Sequence, residues 1–220
     1  MKKTSMWLNM ALIVLAVALI GFNQFALMNV SGFTSVKSKK DSVNLANVNL
    51  DELKSTGHSI AALFPVADIK DAQDAVDIMV PTGTPDYGQD LGVNFDDPVT
   101  GLNLLAKLEK SVQLSPEDQQ RYINLASRPV GISCEFCCGV GSAGIDKSGR
   151  SLCGCQHAPA LLGLTKWLIQ NTEYNDAEIL KEVLKWKTLF FPKDMVNLAV
   201  TVAGGDTSKL DNLPGMVGGC

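Results

Sequence analysis

Five of the six cysteines in this chain, and one of its two histidines, fall between positions 134 and 157. The run opens Cys134-Glu-Phe-Cys137-Cys138-Gly and, after thirteen further cysteine-free residues, closes Cys153-Gly-Cys155-Gln-His157. A segment this dense in thiols is held either by a metal ion or by disulfides, and either one pins the surrounding fold. The two halves have the layout of a paired-knuckle zinc site, with C-x-C-x-H standing where a second C-x-x-C is usual. The loop between them is rich in glycine, which lets it fold back so that the halves meet.

Thiolates bind borderline and soft ions, and a tetrahedral sulfur or mixed sulfur and nitrogen set makes zinc the first expectation. Cys134, Cys137, Cys153 and Cys155 are expected as the first four ligands. Cys138 and His157 are the surplus. Adjacent side chains point apart, so Cys137 and Cys138 both serve only if the cluster holds more than one ion or one thiol faces elsewhere. Surplus soft ligands at close spacing also suit Cu(I), which keeps copper as the alternative cofactor. His157 lies near a helix start, where neutral imidazole is favoured over imidazolium. The competing reading is disulfides: six cysteines, Cys220 included, form up to three bridges in an oxidising compartment. Bridges that close very short loops remove little unfolded-state entropy, which argues against the C-x-x-C and C-x-C pairs as staples. A redox-active pair calls for C-x-x-C beside a βαβ pattern, and none is visible.

The rest of the chain narrows the function by exclusion. Its net charge of −4 and scattered basic residues give no stripe for nucleic acid. Nucleotide-binding glycine loops, zincin and serine-hydrolase motifs are absent. Neither histidine has a recognisable carboxylate partner in sequence, so a binding or structural role leads over an enzymatic one. His58 is expected to be solvated or packed, and Trp167 and Trp186 to be core. Asp86, Asp90, Asp96 and Asp97 lack the calcium-loop ladder and are expected in turns and caps. Cys220, the last residue, follows Gly-Gly and is a candidate for a cross-link to a protein partner.

In chain order, Lys2 and Lys3 precede an unbroken apolar run from Met10 to Phe22, and apolar character resumes after Asn23-Gln24 as far as Val30. Residues 1–30 are expected as a signal anchor, and 31–60 as a flexible tether. The protein is then expected in the cell membrane as a single-pass chain with its C-terminal domain outside the cytoplasm. Residues 61–220 read as one mainly α domain with the Cys/His loop at 130–158. Helices are expected over Ala67–Val80, around Leu102–Leu108, from Pro116, from Ala158 to Asn171, after the Asn175-x-x-Glu178 capping box, and around Met195–Val202. Pro192 is expected to end the helix before it, and a short extended pair is expected within Val130–Phe136.

The cluster Cys134-Glu-Phe-Cys137-Cys138-Gly and Cys153-Gly-Cys155-x-His157, with the Leu-Thr-Lys-Trp helix after it, resembles a group of membrane-anchored, Cys-rich, largely archaeal proteins. Its Cys-Gly-Cys is also similar to part of the exported proteins named for a Pro-Cys-Tyr-Cys-Gly-Cys motif. This chain lacks the Pro-Cys-Tyr portion and has a Cys-Cys pair instead. The resemblance covers about Leu91 to Pro192 and the tail. It implies export and metal binding, and brings no activity with it.

Overall fold

A computed structural model describes residues 43–205 and 215–218. The apolar stretch expected to anchor the chain lies outside them, as do the first part of the expected tether and Cys220. The expected membrane location is corrected: among the described residues, no helix is long and apolar enough to cross a membrane.

The described residues belong to one unit, Ser42–Cys220. Local capping sets most of its helix starts. Ser55 opens α1 (Thr56–Leu63), its hydroxyl accepting from the backbone N–H of His58 at 3.2 Å. The Asp71 carboxylate opens α2 (Ala72–Met79) by accepting from the N–H groups of Gln73 and Asp74. This helix starts later than its apolar spacing predicts, because Val66–Asp68 forms a separate 3-10 turn and Asp71 supplies the cap. A single turn, α3 (Gly88–Leu91), precedes α4 (Pro98–Ser111), which Asp97 caps through the N–H of Thr100. Ser115 and Pro116 start α5 (Pro116–Ala126) as their sequence predicts.

After α5, residues 127–156 form a long loop with one helical turn of its own, α6 (Glu135–Cys138). The extended pair expected within Val130–Phe136 does not form. Among the described residues the only β interaction is an isolated antiparallel bridge between Ile145 and Ser151. Next come α7 (His157–Asn171), α8 (Asp176–Phe190) with the expected capping box at Asn175, and α9 (Pro192–Val202). Pro192 opens α9 as well as following the end of α8. At the first helical position its missing N–H costs nothing.

Within the described part of the expected tether, Leu45–Asn47 and Leu50–Glu52 are 3-10 turns, and α1 begins at Thr56 and buries Ile60 and Leu63 completely. The architecture is mainly helical, as the periodicity predicts. Its centre is α7, which packs on α4, α5 and α8, while α9 closes over α1, α2 and α8. Gly163 lets α4 and α7 approach at backbone distance, since a Cβ there would meet the carbonyl oxygen of Leu105 at 2.5 Å and the nitrogen of Glu109 at 2.6 Å. Trp186 of α8 is wholly buried, and its indole N–H donates to the Tyr87 hydroxyl at 2.9 Å, so the ring is placed without an orphaned donor. One end of α7 and the end of α8 form the platform under the long loop.

Candidate metal centre

The loop is tied to the helices before its cysteines are placed. Gly144 donates to the last turn of α5 at the Ala126 carbonyl, 2.9 Å, and Gly131 donates to the Ser142 carbonyl at 2.8 Å. Gly144 tolerates no side chain: a Cβ there would overlap the carbonyl of Ile132. Val130, Ile132 and Ile145 enter the core and are essentially inaccessible. Between them, α6 follows its N-terminal cap residue Cys134 and stops at Gly139, whose φ of +65° is the left-handed cap that glycine adopts cheaply. One helical turn brings residues four apart onto one side, so Cys134 and Cys138 project together. Cys153 and Cys155 arrive from the other arm, where the Ser151 hydroxyl donates to the Cys153 carbonyl at 2.8 Å.

The sulfurs of Cys134, Cys138, Cys153 and Cys155 all lie within 4.8 Å of one another. Cys134 and Cys155 are 3.1 Å apart, and Cys134 and Cys138 are 3.9 Å apart. A second set, Cys137, Cys155 and the imidazole of His157, meets the same limit and shares Cys155 with the first. The six residues singled out in the sequence therefore form two overlapping groups, either of which could hold a metal ion. The expected first four are rearranged: Cys138 joins the four-sulfur group, and Cys137, one residue earlier on the turn, faces His157. In oxidised form Cys138 and Cys153 are joined as a disulfide, and Cys137 is disulfide-bonded as well. Cys134 and Cys155 are free thiols.

The cluster has a buried wall and an open side. Cys134 and His157 are both 0% exposed, whereas Cys138 is exposed. Burial pushes the Cys134 thiol up to about 12, and the neighbouring Cys155 adds to the rise, while the Lys187 ammonium offsets part of it. That ammonium is itself fully buried on α8. It donates to Glu135 at 2.7 Å, to the Gly131 carbonyl at 3.0 Å and to the Thr56 hydroxyl at 3.3 Å. Thr56 in turn donates to the same carboxylate. Desolvation lowers the Lys187 pKa, and the Glu135 charge opposes the shift. The pair clamps the first residue of α6, so the turn that carries three of the cysteines is anchored to α1 and α8.

Lys187, Glu135 and Thr56 were not singled out by sequence, although one signal was present. Lys187 falls on the stripe Val183, Trp186, Phe190 that the helix buries, and a lysine on an apolar stripe marks a buried partner. Trp186 is core, as expected, whereas Trp167 is only partly buried and packs against the core from outside. His58 is exposed, its Nδ1 accepting from the N–H of Lys54 at 3.1 Å. Asp96 holds the N–H of Gly83, and Asp97 is the cap of α4.

Fold and site together define a mainly helical domain with a Cys/His cluster that could hold a metal ion. Comparison of the chain with protein-family models, with curated proteins and with solved structures finds no match. The functional reading rests on the residues themselves.

Proposed function

We propose that this is a metal-binding protein in which the thiolates of Cys134, Cys138, Cys153 and Cys155 close around one zinc ion, and that the ion fastens the 127–156 loop to the helical core. The observation that carries the reading is the convergence of four sulfurs from two separate arms of the loop within 4.8 Å of one another. With a Zn–S bond of about 2.3 Å, tetrahedral geometry sets sulfurs about 3.8 Å apart. The separations of 3.1 and 3.9 Å lie on either side of that value. Binding takes the reduced form: two electrons from a phosphine or thiol reductant, with two protons from water or the thiol, convert the Cys138–Cys153 disulfide to two thiols. The metal then displaces the thiol protons.

Copper is the second reading, favoured by the exposure of Cys138, which leaves one side of the set near solvent, and by the preference of Cu(I) for thiolates. X-ray absorption at the metal edge separates the two. Reduced protein given one equivalent of zinc is expected to show a shell of four sulfurs at about 2.3 Å. Cu(I) that displaces zinc and is readily passed to a competing chelator supports copper handling. A shell dominated by oxygen or nitrogen contradicts both.

A further inference from the structure

The geometry points to a binuclear centre: beside the ion in the four-thiolate set, a second divalent ion is held by the sulfurs of Cys137 and Cys155 and by Nδ1 of His157, with Cys155 bridging the two. This inference rests on the reading above, that the reduced cluster binds metal.

The orientation of His157 is set from outside the cluster. Its Nε2 lies 2.9 Å from the carbonyl oxygen of Val217, which can only accept, so Nε2 carries the ring proton. In the neutral ring, Nδ1 then presents its lone pair, 3.9 Å from the Cys155 sulfur. The imidazole is wholly buried and packed against Phe191 and Phe190, at centroid separations of 4.8 and 5.4 Å. A histidine whose second nitrogen is tied to a backbone carbonyl is the arrangement by which metal sites fix ligand tautomer and ring angle. The carbonyl comes from residue 217, whose own N–H donates to Phe190 at 2.8 Å, so the tail is docked where it performs this task.

Cys137 supplies the opposite side. Cys137 is disulfide-bonded in the oxidised chain, so a further two electrons from the reductant and two protons from solvent release its thiol. Adjacent residues on one helical turn point in different directions, and the reduced pair Cys137-Cys138 then offers one thiol to each ion. A thiolate sulfur has lone pairs enough to bind two ions, which is what the shared position of Cys155 requires. Two thiolates and an imidazole leave the fourth tetrahedral position open, as in exchangeable and reactive zinc sites rather than closed structural ones. Cys137 and Cys155 are half-buried, so that position faces the surface. The second ion is the weaker and more exchangeable of the two, and its open position takes water or a small thiol.

The test is a metal titration of the full chain, reduced with a phosphine under anaerobic conditions, using Co²⁺ as an optical probe and then Zn²⁺ in competition with a chromophoric chelator. Two equivalents are expected, the second bound more weakly. His157→Gln is expected to lose the second equivalent and keep the first with its all-sulfur cobalt spectrum. Because His157 is also packed in the core, Cys137→Ser is the companion variant and is expected to do the same. One equivalent in the unaltered chain, unchanged by either substitution, overturns the second site and leaves the four-thiolate reading standing. Two equivalents retained in Cys137→Ser also overturn it. No binding of either ion by the fully reduced chain overturns the underlying reading.

Discussion

A lysine with no solvent exposure persists in a helical core only if its charge is met, and Lys187 meets a carboxylate and two further oxygens. Removing one partner strands the other. Lys187→Met and Glu135→Leu are each expected to destabilise the protein by about 3–5 kcal/mol, whereas the double variant loses less than the sum. Urea unfolding of the three variants measures the coupling, and strict additivity would show that the pair does not act as a unit. Asp146 gives a pH signature. The Ser148 hydroxyl, followed by the backbone N–H of Arg150, holds its carboxyl well below the usual carboxylate range. A depressed folded-state pKa stabilises above the unfolded value of about 3.8, and the gain fades as pH falls through the folded one. Wild type is therefore expected to melt above Asp146→Asn at pH 7, with the gap shrinking below about pH 4; a gap that widens in acid contradicts the assignment. The metal candidates were legible at this scale because cysteine spacing is local. Their grouping was not, since which of Cys137 and Cys138 turns toward the four-sulfur set depends on a helical turn that the loop's neighbours impose.

At the scale of elements, most boundaries were written in short-range chemistry. Ser115-Pro116 and the Asn175 to Glu178 box open α5 and α8 where their residues say. Asn175→Ala is expected to cost about 1 kcal/mol, read as a lowered thermal midpoint with the helix content of the folded state retained. No change would mean that the ion pair of Arg121 with Asp176, at 2.8 Å, and the donation of Arg121 to the Tyr174 carbonyl already hold that turn. Residues 43–60 are polar and lack a strong period, yet Leu53 and Ile60 find a core to enter, and tertiary burial overrides weak local preference. Val130–Phe136 alternates like a strand but has no partner strand among the described residues. Glycine at 139 and the Lys187–Glu135 clamp favour a single helical turn instead.

For the whole molecule, the question is what the proposed metal ion would hold. The helices bury a continuous core of their own around Trp186, Leu161 and Leu105, with α7 at its centre, so the ion is not required to nucleate them. Chelation of the reduced protein is therefore expected to leave most of the far-ultraviolet helix signal in place, lower the thermal midpoint and raise amide exchange in residues 131–156. Complete loss of helix on chelation would show that metal binding and folding of the entire domain are one event. The most direct measurement of the central claim is elemental analysis, with thiol titration on the same sample, of protein purified under reducing conditions without added metal. At least one equivalent of zinc or copper per chain is expected, lost in Cys134→Ser and in Cys138→Ser. Less than one equivalent of any transition metal, with the cluster's cysteines recovered as disulfides, would contradict it.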